Sequence, residues 1–275
     1  MIHKRRFSRT SLTNIIILTN IIIFFVAMTI LSFDSNLINY IAIQPSNILS
    51  GISLWTIITS MFMHSGFLHL FVNMFSLFFL GNLTERIIGR KRFLWFYLIS
   101  GIFAGLFFVL FAYLGTFLPG TFGDRLFGGL ADSAVGASGA LFGLLGILAI
   151  IIPRQRVYLI LGPILIIILQ IIVSQFAPEP FNSIFVIITS ILILLMILVM
   201  FSPNPKLRKL SLPAGMPLWF APIAAILPLF LISLLIKLPI GNTAHLGGLI
   251  AGLAYGFYLK HKYKKKIEML QRFFR

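Results

Sequence analysis

The sequence predicts an all-α fold, a polytopic membrane helix bundle of eight spans. Three observations carry that reading. The 275 residues are 59% hydrophobic and only 10% charged, with a mean hydropathy of +1.03, whereas soluble domains carry about 25% charged residues. Apolar runs of the length that crosses a bilayer recur along the chain, each about 20 residues. Lysine and arginine are confined to alternate connections, the pattern of a chain threaded back and forth. There is no cysteine, which excludes disulfides, thiol nucleophiles and thiolate metal sites.

The elements follow in order. The basic stretch Lys4-Arg5-Arg6-Phe7-Ser8-Arg9 precedes a long apolar run. A secretory signal has a shorter apolar core and a small-residue cleavage site, and none follows Ile30. Residues 1–13 therefore read as a basic cytoplasmic tail and 14–33 as a retained helix. The basic stretch is short for an organellar transit peptide, so a prokaryotic cell membrane is the expected location. The outer loop 34–63 leads to spans at 64–83, 93–117 and 133–152. The fifth, 157–173, is short, and Pro163 is expected to kink it. The sixth covers 183–201. The seventh, 217–236, contains Pro228, tolerable where neighbours satisfy the freed carbonyl. The eighth is 243–259, and 260–275 is a second basic tail. Pro153, Pro180, Pro203, Pro205 and Pro217 lie in or beside connections.

Of the 22 lysines and arginines, 20 lie in 1–13, 84–92, 153–156, 202–216 and the tail from Lys260; the others are Arg125 and Lys237. These groups alternate strictly with the spans, so both termini are expected in the cytoplasm. The net charge of +16 is thus a topology signal and a contact with the lipid bilayer. Scattered over five short segments, it does not form a nucleic-acid surface.

Polar residues inside apolar segments are costly and mark function. Ser138 lies in Gly136-Ala137-Ser138-Gly139, and His245 opens the eighth span in Ala244-His245-Leu246-Gly247-Gly248. His69 and Asn73, four apart, share one face of the second span. Spans two, four and eight all run from outside to inside. All four residues therefore fall in the outer half, within roughly 15 Å of the outer face. Gly136, Gly139, Gly143 and Gly146 line one face of the fourth span, and Gly248 and Gly252 one face of the eighth. Small residues at this spacing let membrane helices approach closely. Phe142, one turn after Ser138, is placed to pack on the imidazole.

A serine paired with an imidazole is a nucleophile with its base. Side-chain donors at His69 and Asn73, with the Ser138 N–H beside Gly136, could stabilise an oxyanion. No carboxylate lies in the apolar cores, Asp132 being at an edge and Glu85 cytoplasmic, so a Ser-His dyad fits better than a triad. Simple helix packing explains a Gly-x-Ser-Gly string taken alone. A zinc ion on His64, His69 and His245 is the other chemistry available, but the five-residue step from His64 to His69 is poor for one face.

With these residues in place, the chain resembles the rhomboid intramembrane serine proteases. The resemblance rests on His64, His69 and Asn73 in His-Ser-Gly-Phe-Leu-His-Leu-Phe-Val-Asn, and on Gly81, Glu85 and Gly89. It continues in Gly136-Ala137-Ser138-Gly139-Ala140-Leu141-Phe142-Gly143 and in Ala244-His245-Leu246-Gly247-Gly248 with Gly252, so it spans about 50–259. It implies Ser138 as nucleophile, His245 as base, and His69 and Asn73 near the oxyanion. It also implies no cofactor, no metal, and transmembrane proteins as substrates.

Two departures stand out. The outer loop commonly carries Trp-Arg, but here Trp55 precedes Thr56. The family's core has six helices, whereas 107 residues separate Ser138 from His245. Pro217-Leu218-Trp219 resembles the start of the core's fifth helix. A two-helix insertion at about 157–201, within a protease domain of 14–259, accounts for the excess and preserves the side on which His245 enters. Two other functions compete. One is a catalytically inactive rhomboid-like protein that binds membrane clients, disfavoured by retention of both Ser138 and His245. The other is a transporter with a histidine proton relay, which lacks intramembrane carboxylates and a clear repeat.

Overall fold

A computed structural model of the chain describes residues 10–238 and 240–274; the basic stretch 4–9 lies outside them. The fold is an all-α membrane bundle with one two-stranded β-ribbon. The principal helices are α1 (Leu12–Phe33), α2 (Phe67–Ile88), α3 (Arg90–Gly115) and α4 (Ser138–Ile151). They continue as α5 (Leu161–Ser174), α6 (Phe181–Val199), α7 (Ala221–Ser233), α8 (Asn242–Lys262) and α9 (Lys264–Phe273). Helices α1, α2, α3 and α6 are long and apolar enough to cross a membrane, and the protein is an integral membrane protein.

Helix α4 is the centre. Leu144, Ile147 and Leu148 are fully buried, with Leu77 of α2 and Phe93 and Tyr97 of α3 packed in the same core. Helices α3 and α8 enclose it on two sides, and both approaches depend on missing side chains. A Cβ at Gly143 would overlap Ser100 of α3; one at Gly248 or Gly252 would overlap the carbonyls of Gly139 or Gly143. In lipid, where apolar helices gain little from the hydrophobic effect, such close packing holds helices together. By contrast α6 exposes Ile187, Ile191 and Leu195, the surface a helix presents to acyl chains.

The α1–α2 junction explains a second set of residues. The first N–H groups of a helix have no partner within it. At α1, the buried Glu85 carboxylate accepts from the Leu12 and Thr13 N–H groups at 2.9 Å each and from Thr13 Oγ1 at 2.8 Å. Gly81 leaves room for Thr13, and Gly89, at φ +87°, turns the chain into α3. Residues Leu77–Gly81 form a π turn within α2.

Several boundaries differ from the sequence expectation. The second span starts at Phe67, not 64, and leaves His64 before the helix. Residues 133–137 are not helical. Ala134 bridges Ile43 of the outer loop, and Gly136 takes φ +126° with its N–H on the Ser60 carbonyl at 2.8 Å. Ser138 is therefore the first residue of α4 and not five residues inside it, as a span from 133 would make it. Residues 157–160 belong to a strand, β1 (Arg156–Ile160), antiparallel to β2 (Pro213–Pro217). The fifth span thus begins at Leu161, which puts Pro163 in its first turn, where proline needs no kink. The seventh span shortens to α7, buried only at its ends. Helix α1 takes in Leu12 and Thr13, and much of the C-terminal basic segment is helical.

The loop 34–63 is held without an arginine at 56. Trp55 Nε1 donates to the Tyr40 carbonyl at 2.9 Å, Thr59 Oγ1 to that of Ile41 at 3.0 Å, and the Ser46 N–H to that of Leu130 at 3.0 Å.

Candidate active site

Ser138 and His245 come from opposite ends of the 107-residue interval and meet. Ser138 Oγ lies 2.8 Å from His245 Nε2. The glycine contacts between α4 and α8 set that distance: Gly248, one turn beyond His245, rests on the carbonyl of Gly139, the residue after Ser138. The imidazole is also fixed from one side by Phe142, whose ring stacks on it with centroids 4.5 Å apart and planes at 23°. Both Ser138 and His245 are half-buried, so each keeps a face open.

Because Ser138 is the first helical residue, its N–H and those of Gly139 and Ala140 have no partner within α4. They give the helix start a partial positive charge. Gly136 brings His69 to the same place: a Cβ at Gly136 would lie 2.9 Å from His69 Cε1 and 3.0 Å from Nε2, and 3.9 Å from Ser138 Oγ. The far edge of that ring meets Ser65, whose N–H approaches Nδ1 at 3.4 Å and whose Oγ lies 3.0 Å from it. A backbone N–H can only donate, so the neutral ring carries its proton on Nε2, toward Gly136. The arrangement offers a nucleophile, a base and two kinds of donor around one point, the parts needed for acyl transfer.

Asn73 is buried, but its Nδ2 donates to the His69 carbonyl at 2.8 Å, one turn back on its own helix. It therefore supports the turn that presents His69, and no hydrogen bond joins it to Ser138 among the described residues. His64 packs edge-on against His69, centroids 5.2 Å apart. Among the described residues no three His, Cys, Asp or Glu side chains converge as metal ligands. Asp132 pairs with Lys237 at 2.8 Å, and among the described residues the only side-chain hydrogen bond of His245 is to Ser138. Ser65 and the Ser60 carbonyl were not singled out in the sequence. The i, i+4 step from Ser65 to His69 was the available signal for the first. Nothing local marks the second.

A small cleft adjoins Ser138 and His245, reached by Ser60 and Met61 of the outer loop, Ala104 and Phe108 of α3, and Val135.

Comparison with known proteins finds rhomboid-like relatives. The putative rhomboid protease YdcA of Bacillus subtilis is 37% identical over 93 residues, covering 34% of this chain and 39% of that protein. RHOMBOID-like protein 5 of Arabidopsis thaliana is 36% identical over 135 residues, 47% of this chain and 38% of that protein. Inactive RHOMBOID-like protein 8 of the same plant is 47% identical over 58 residues, 21% and 16% of the two chains. The chain thus spans well under half the length of each of these relatives. The family model of the Rhomboid domain matches residues 51–262, which takes in α2 to α8 and both site residues, and the chain belongs to the rhomboid family.

Proposed function

We propose that this protein is an intramembrane serine endopeptidase that cleaves transmembrane proteins in or near their membrane segments with a Ser138–His245 dyad. The observation that carries the reading is the 2.8 Å contact between Ser138 Oγ and His245 Nε2. His245 Nε2 takes the Ser138 hydroxyl proton as Oγ adds to the scissile carbonyl. The oxygen that becomes negative accepts from the Ser138 N–H at the start of α4 and from His69 Nε2–H. The C–N bond then breaks, the amine leaves with the proton held by His245, and an acyl ester remains on Ser138. Water, deprotonated by His245, hydrolyses the ester and restores the serine. A substrate helix must unwind locally, because a continuous helix occupies its own carbonyls.

The charge pattern supports both ends of the chain lying in the cytoplasm, with the site toward the outer side. Similarity to both a putative protease and an inactive relative leaves a direct test. Purified protein should react with a fluorophosphonate and cleave a single-span substrate. Ser138→Ala and His245→Ala should each abolish turnover, and the double variant should be hardly worse, since the pair acts as a unit. Cleavage at the parental rate by a folded Ser138→Ala protein, or no labelling of the parent, would overturn the proposal.

A further inference from the structure

We infer that the basic end of the bundle contains a binding site for an anionic phospholipid, built between the end of α8 and helix α9. An open, shallow groove lies there, lined by Phe257, Lys260, His261, Lys264, Ile267 and Gln271, together with Glu268. Lys260 at the end of α8 and Lys264 at the start of α9, with Lys265 and Lys266 beside them, make no ion pair among the described residues. The neighbouring cations are held differently. Arg92 donates to Tyr263 Oη at 2.7 Å and Lys262 to Tyr258 Oη at 2.7 Å, each also lying over a tyrosine ring. The unpaired positive charge is thus concentrated at the groove.

Helix α9 is not a loose tail. Ile267 is buried, Leu270 and Phe274 pack on the core, and Gln271 Nε2 donates to the Ile151 carbonyl at the end of α4 at 3.0 Å. The lysines are therefore presented on a fixed frame, which lowers the ordering cost of binding. On the side of α9 turned away from the core, Met269 is 65% and Phe273 83% exposed, one turn apart, with the exposed Lys265 and Lys266 beside them. A helix that buries one face and presents cations and bare apolar side chains together on the other lies in the headgroup plane. One ligand satisfies both features. Its phosphodiester sits between Lys260 and Lys264, and its acyl chains pass Phe257, Met269 and Phe273. Basic pockets beside membrane helices take acidic headgroups by this chemistry.

The test uses the full chain in detergent with phosphatidylglycerol and phosphatidylcholine, bound lipid being counted by native mass spectrometry. Phosphatidylglycerol should be retained over phosphatidylcholine. K260Q/K264Q should weaken that retention about 30-fold, as expected for two cations at a membrane surface. M269S/F273S should weaken it too. K206Q/K209Q, on the same side but in the separate helix Pro205–Lys209, should leave it unchanged, and soluble glycerol phosphate should not displace the lipid. Equal retention of the two lipids, an equal loss in the K206Q/K209Q control, or displacement by glycerol phosphate would each overturn the site. Size-exclusion profiles of all variants separate these outcomes from misfolding.

Discussion

At residue scale, the site depends as much on what is missing as on what is present. Gly136 is doubly constrained. Its φ of +126° is one that side-chain-bearing residues rarely adopt, and a Cβ there would press on the His69 ring. Gly136→Ala should therefore keep Ser138 and His245 yet displace the His69 ring, the proposed oxyanion donor. Loss of one such donor costs about 10²–10³ in rate. The expected result is a fall of that order in kcat in a folded protein, with fluorophosphonate labelling reduced in parallel and the unfolding temperature lowered by the strain at that φ. Parental turnover would remove His69 from the proposed chemistry. The dyad was legible in the sequence because serine and histidine are conspicuous in apolar segments. The start of α4 at Ser138 was not. It depends on the Ile43–Ala134 bridge and the Gly136–Ser60 hydrogen bond, which join positions 91 and 76 residues apart. Asn73 was legible as a polar residue on the right face, but its hydrogen bond to its own helix was not.

At the scale of elements, the β-ribbon changes how the extra helices are understood. The register from Arg156–Pro217 to Ile160–Pro213 brings the two ends of 161–212 together. The pairing continues toward the core through Leu218 N–H on the Gln155 carbonyl at 2.9 Å and Trp219 N–H on that of Pro153 at 3.1 Å. The excursion containing α5 and α6 is thus closed at its base. It touches α2 through Phe201, which packs against Phe75 and Phe79. The run Val157-Tyr158-Leu159-Ile160 reads as the start of an apolar span because nothing nearby shows its partner strand, which begins and ends with proline. Replacing 161–212 by Asn-Gly would join the strands through the two-residue turn that suits a hairpin's twist. We expect a folded protein whose fluorophosphonate labelling stays within about threefold of the parent, the order of a surface change remote from the chemistry. A monodisperse but unreactive product would mean that the hairpin helps hold α4 and α8 together.

At the scale of the whole molecule, charge and packing describe one orientation. The cations of 84–92, 153–156, 202–216 and the segment from Lys260 gather at one end of the bundle. The two exceptions, Arg125 and Lys237, are at the other, and both engage the connection between α7 and α8. Lys237 pairs with Asp132, and Arg125 Nη1 reaches the Leu235 carbonyl at 3.5 Å. The ion pair ties the segment leading to Ser138 to the one leading to His245, so these cations brace the approach to the site. The chain lacks cysteine, so a single introduced thiol reports its side without background. Ala177→Cys, in the turn between α5 and α6, should react with a membrane-impermeant maleimide in intact cells. Lys265→Cys, in α9, should react only after the membrane is opened. The even number of spans between the first basic segment and α9, and the odd number between α5 and α9, require that difference. Labelling of both positions from the same side would break the eight-span topology and, with it, the placement of Ser138 and His245 toward the outer face.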